Sequence, residues 1–126
     1  GYAEFEWAGF QEKSNENIMV IPLIEDREGI ENLDEMMDVD EVELYCLGPF
    51  DYSVDIGVPG DRVNPKVERV MEEAVEKIIS NGKYVMYPVL NVDEAKKWYE
   101  RGVKVFVYGI DTIIYGISLK KFAEEI

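Results

Sequence analysis

Glu25 and Asp51 each stand at the carboxyl end of a consecutive apolar run, residues 18–24 and 42–48. If such runs are neighbouring strands of a parallel sheet with helical crossovers, their carboxyl ends open onto one crevice, where ligands bind in such folds. Two carboxylates in one crevice suit a hard divalent cation, which takes oxygen ligands and leaves its other positions to water or substrate. The competing reading is that both acids cap the helices after their strands, because Asp and Glu favour helix N-termini. Asp111, beyond a further apolar run at 103–108, could line the same mouth but reads more simply as a cap or loop brace.

What is missing narrows the chemistry further. The 126 residues contain no histidine, so this chain alone builds no Ser-His-Asp triad, imidazole-ligated zinc site or histidine base. Cys46, the single cysteine, has no partner for an internal disulfide and reads as a small core residue. A net charge of -14 with no basic cluster repels phosphate backbones and argues against nucleic-acid binding. No apolar run reaches the roughly 18 residues of a membrane helix, and no signal-peptide pattern opens the chain. A cytoplasmic location is the expectation, with one domain over residues 1–126.

The elements that would position these acids alternate regularly. After the strand at 18–24, a helix is expected over 26–37, with Ile30, Leu33 and Met37 on one face. The second strand, 42–48, leads into a Gly- and Pro-containing stretch, 49–64, which reads as a long irregular loop. Within it, Gly57-Val-Pro-Gly-Asp61 lacks the Lys-Ser/Thr of a phosphate loop and reads as a turn. Pro65 then opens a helix striped by Val67, Val70, Met71, Ala74, Ile78 and Ile79, and Gly82 fits its end. A strand at 83–90, a helix from Asn91 or Asp93 to Arg101, a strand at 103–108 and a helix at 119–125 complete the series. Tyr84, Tyr87, Trp98 and Tyr108 lie on these elements, where packing accounts for them. Residues 1–17 read as a connection. Four β-α units in succession predict a parallel sheet with right-handed crossovers. An open doubly wound sheet and half of an eight-stranded barrel are both compatible with this pattern.

At Ile21-Pro-Leu-Ile-Glu25 and Leu47-Gly-Pro-Phe-Asp-Tyr-Ser53 the chain resembles the HpcH/HpaI family of metal-dependent, class II pyruvate aldolases. The likeness continues through residues 31–36, Gly57-Val-Pro-Gly60, Gly82-Lys83 and Gly109-Ile-Asp-Thr112. It implies an α/β fold of parallel (β/α) units, the C-terminal half (strands five to eight) of a TIM-type (β/α)8 barrel. It also implies that Glu25 and Asp51 are the metal ligands, with magnesium, manganese or cobalt as the ion. Phe50 matches a position whose backbone amide helps to bind the substrate carboxylate, and there the family often has alanine. Leu23 stands where some members have a substrate-contacting glutamine.

The activity implied is metal-dependent retro-aldol cleavage of a 2-keto-4-hydroxy acid to pyruvate and an aldehyde. The family's general-base histidine and carbonyl-polarising arginine belong to the first half of the barrel and have no counterpart here. The chain is therefore expected to be a fragment, inactive alone, with a small keto acid, the missing N-terminal half and further copies of itself as partners. The alternative is a non-catalytic half-barrel or assembly module.

Overall fold

A computed structural model describes residues 7–126. Its centre is a four-stranded parallel sheet of β1 (Leu23–Ile24), β2 (Leu44–Leu47), β3 (Tyr84–Val89) and β4 (Val105–Tyr108), in that spatial order. Around it run α1 (Trp7–Asn17), α2 (Arg27–Glu31), α3 (Leu33–Met37), α4 (Pro49–Asp55), α5 (Pro65–Ser80), α6 (Val92–Glu100) and α7 (Asp111–Glu124).

The strand order decides between the two architectures. Every crossover steps to the next strand in the same direction, and right-handed crossovers that never reverse leave their helices on one face. A doubly wound sheet would reverse at a switch point. The register shows the consequence. Leu23, Cys46, Met86 and Val105 are aligned across the sheet, and all four are half-buried or exposed. One residue along each strand, Ile24, Leu47 and Tyr87 are buried. This second row packs under α5 and α6, where Val67, Met71, Val75, Ile78 and Trp98 form the core. The first row occupies the face that would be a barrel interior.

Local chemistry explains where each element begins and ends. The Asn64 side chain accepts from Lys66 N–H and Pro65 supplies the first turn of α5, while Asn91 caps α6 by accepting from Glu94 N–H. Gly82 and Gly102 follow these helices at φ +76° and +98°, a conformation open chiefly to glycine. Of the four aromatics expected to pack, Tyr87 and Trp98 do so, with ring centroids 4.0 Å apart, whereas Tyr84 and Tyr108 are exposed.

Five expectations need correction. The helix at 26–37 is two helices that meet at Asn32, whose φ of -90° and ψ of 6° depart from helical values while its backbone N–H and side-chain amide both reach the Glu28 carbonyl. The first part of the 49–64 loop is α4, begun by Pro49 and stopped before Gly57 at φ +82°. The first strand is only two residues long, since residues 18–20 are exposed and Pro22 has no N–H for a ladder. The last helix starts at Asp111 and not at 119, directly after Gly109 at φ +71°. Part of the expected connection at 1–17 is helical, as α1; residues 1–6 lie outside the described residues. The turn reading of 57–61 stands, with Gly57 and Gly60 both at positive φ.

Candidate metal and substrate site

The carboxyl ends of the strands surround a cleft of about 470 Å³ that contains every residue expected at the site: Leu23, Glu25, Phe50 and Asp51. Glu25 directly follows β1, and Asp51 is the third residue of α4, which directly follows β2 and Gly48. Gly48 leaves room for Glu25 at this point. A Cβ at that position would lie 2.6 Å from the Glu25 Cβ and 3.3 Å from its Oε2. The absence of a side chain thus seats the glutamate against the head of the helix that carries Asp51.

The capping alternative separates the two acids. The helix after β1 is capped by Asp26, whose Oδ1 accepts from Gly29 N–H at 2.7 Å, so Glu25 is not needed for that role. Asp51 lies in the first turn of α4, where a negative charge also complements the helix dipole. Asp111 opens α7, takes the Thr112 N–H at 2.8 Å and is absent from the cleft lining, as a bracing residue would be.

Ser53 explains why the neighbouring turn belongs to the site. Fully buried, its hydroxyl donates to the Phe50 carbonyl and accepts from Gly60 N–H at 3.0 Å. That clasp draws the 57–60 turn over the first turn of α4, and a Cβ on Gly60 would stand 3.9 Å from the Phe50 ring. Phe50 itself remains 55% exposed at the cleft.

Cys46 corrects the sequence reading. It sits half-buried on the open face of the sheet and lines the cleft, outside the helix-covered core. Burial raises its thiol pKa, and the charge of Glu25 raises it further, so the thiol stays protonated at neutral pH. A residue that sequence reasoning missed is Arg62, which lines the cleft and pairs with Glu94. A lone arginine in a turn-rich stretch carries no spacing signal, so nothing in the sequence marked it.

The donor set fits a hard ion. Among the described residues no group of three or more His, Cys, Asp or Glu side chains is placed to hold a metal. Two carboxylates therefore leave most of a six-fold oxygen shell to water or substrate, as magnesium and manganese accept and a structural zinc site does not.

Comparison with known proteins identifies the family. The profile of the HpcH/HpaI aldolase/citrate lyase family matches residues 3–115. The chain belongs to that family. It is 32% identical over 114 residues to a 4-hydroxy-2-oxo-heptane-1,7-dioate aldolase of Escherichia coli, covering 90% of this chain and 44% of that enzyme. A 2-keto-3-deoxy-L-rhamnonate aldolase of Klebsiella pneumoniae is 29% identical over 112 residues, covering 89% and 42%. A solved family member from Burkholderia cenocepacia superposes with a TM-score of 0.83 over 92% of this chain and 45% of its own, at 20% identity. That likeness establishes the fold. The chain spans less than half the length of the curated relatives it matches, in keeping with four βα units, half the number in a TIM-type barrel. No helix among the described residues is long and apolar enough to cross a membrane.

Proposed function

We propose that this chain carries the metal-ligating half of an aldolase site that cleaves a 2-keto-4-hydroxy acid to pyruvate and an aldehyde. One observation supports this above the others: Glu25 and Asp51 share a cleft at the carboxyl ends of adjacent strands. Glu25 and Asp51 would hold magnesium, manganese or cobalt, an ion that supplies Lewis-acid stabilisation of the negative charge developing on the keto oxygen. The chain's own residues confine and orient the substrate. Leu23, Pro88 and Val107 line the cleft with apolar surface, and the first turn of α4 presents Phe50 at its edge.

None of these side chains is suited to take the proton of the 4-hydroxyl. The Cys46 thiol is held neutral, and both acids are committed to the ion. With no histidine in the chain, the base comes from another polypeptide segment, which we assign to a complementary N-terminal half-barrel. The expected location is cytoplasmic, and the expected assembly is a homo-oligomer of completed barrels. The exposed apolar residues of α7 support an assembly role for this part of the chain whether or not catalysis follows.

Calorimetric titration with manganese tests the reading. The wild type is expected to bind one ion weakly, and Glu25→Gln with Asp51→Asn to lose it. Equal binding by both would remove the site. A coupled assay for pyruvate release should detect no enzyme-like turnover from this chain alone.

A further inference from the structure

Arg62 is the one lysine or arginine among the described residues that line the cleft. Its surroundings hold it in place. Glu94 stands in the first turn of α6 and reaches back so that Oε2 accepts from Leu90 N–H at 2.9 Å, while Oε1 accepts from the Arg62 guanidinium. Both side chains are largely covered, at 15% and 17% exposure. Leu90 is itself part of the cleft wall, so the ion pair sits at the cleft's rim. The carboxylate is thus engaged at both oxygens, whereas the guanidinium has five N–H donors in a planar fork and spends only part of them on Glu94.

Room is available beside it. At about 470 Å³ the cleft falls within the range of roughly 300–1,000 Å³ that takes a whole ligand, more than a three-carbon keto acid requires. Away from the two acids its wall is apolar, formed by Val107, Ile110 and Ile113. A substrate whose keto-acid end meets Glu25 and Asp51 through the ion would extend along apolar surface towards a single fixed cation.

We propose that Arg62 is a specificity-determining residue that binds a second carboxylate at the far end of the substrate, with Glu94 as the residue that positions it. This rests on the keto-acid reading above and narrows it to dicarboxylic 2-oxo acids.

The test uses two ligands that differ in the distal carboxylate alone, 2-oxoglutarate and 2-oxopentanoate, titrated calorimetrically into the whole chain with magnesium. The wild type should prefer 2-oxoglutarate by on the order of tenfold or more, the worth of a charge-assisted hydrogen bond. Glu94→Gln, which keeps the cation and removes its competitor, should increase that preference. The double variant Arg62→Gln with Glu94→Gln should abolish it. Removing both partners leaves no unpaired buried charge, so this variant is expected to fold. A merely structural ion pair would give no increase in Glu94→Gln. The proposal is overturned if the wild type shows no preference, if it binds neither ligand, or if the double variant keeps the wild-type ratio. Glu25→Gln with Asp51→Asn separates the two readings. It should remove the magnesium dependence of both ligands and leave their ratio intact; unchanged magnesium dependence would defeat the metal site and not the Arg62 assignment.

Discussion

The two ends of the chain's apolar surface are treated in opposite ways. Along α5, Val67, Met71, Val75 and Ile78 are fully buried against the sheet. Along α7, Ile113, Tyr115, Ile117, Leu119 and Phe122 are 43–67% exposed, and no residue of the helix is buried. Both helices follow the same β-α rule and both are rich in aliphatic side chains. What differs is the partner. The α5 stripe has a sheet to cover, whereas the apolar residues of α7 are spread around the helix and form no single stripe. Residues 18–21, also apolar and exposed, repeat the contrast at the other sheet edge. The first region is a finished core, and the second leaves large apolar side chains open to solvent in the isolated chain.

That contrast can be broken most sharply by matched truncations. Ile78→Ala should cost about 2–5 kcal/mol, the range for removing a large aliphatic side chain from a packed core. Ile117→Ala should change the stability of the isolated chain by about 0.5 kcal/mol or less, as exposed positions do. Chemical denaturation of both variants measures this, and equal losses would show that α7 is buried in solution.

Association is the next test. Sedimentation of the wild type at micromolar concentration is expected to show self-association through the uncovered surface. Ile117→Glu with Phe122→Lys should shift it towards monomer without unfolding it. A wild type that is already a stable monomer would show that the exposed face tolerates water.

The same contrast accounts for what the sequence revealed. The α5 stripe was legible down to its terminating glycine because its period follows from burial on one side. α7 was not, because its apolar and polar residues are mixed around the helix without a single stripe, and Gly116 in its middle weakens the local signal. α4 was hidden by the Gly and Pro content of its stretch, although Pro49 at its first turn is an ordinary helix start. At the site, Glu25 and Asp51 were visible because strand ends are predictable. Gly48 and Arg62 act through contacts between distant segments, which no linear pattern reports.

Gly48 offers a smaller and more local perturbation. Gly48→Ala places a methyl group 2.6 Å from the Glu25 Cβ, where backbone anchors both sides, so the glutamate must shift. Crowding of this kind costs about 1–3 kcal/mol. Manganese affinity should fall with it, while Gly57→Ala, in an open turn, should lower stability alone and leave affinity unchanged.

The smallest effect expected is a pH-dependent one, at the surface tie between the helices that flank the site. Arg27 donates from its backbone N–H and its Nε to Asp55 Oδ2, at 3.0 and 2.8 Å, joining the start of α2 to the end of α4. The hydrogen bonds from the Arg27 side chain and backbone hold the Asp55 carboxyl below its ordinary value of 3.8. A carboxylate whose folded pKa is depressed contributes stability that is fully present above the unfolded value. That contribution is lost as pH falls through the lower, folded one. The wild type should therefore melt slightly above Asp55→Asn at neutral pH, by a margin constant down to about pH 5. The two melting curves should converge below the ordinary carboxylate range. The margin should also shrink in high salt, since the pair is open to solvent. A margin that persisted at pH 2 would assign the difference to the amide's own packing and not to the charge.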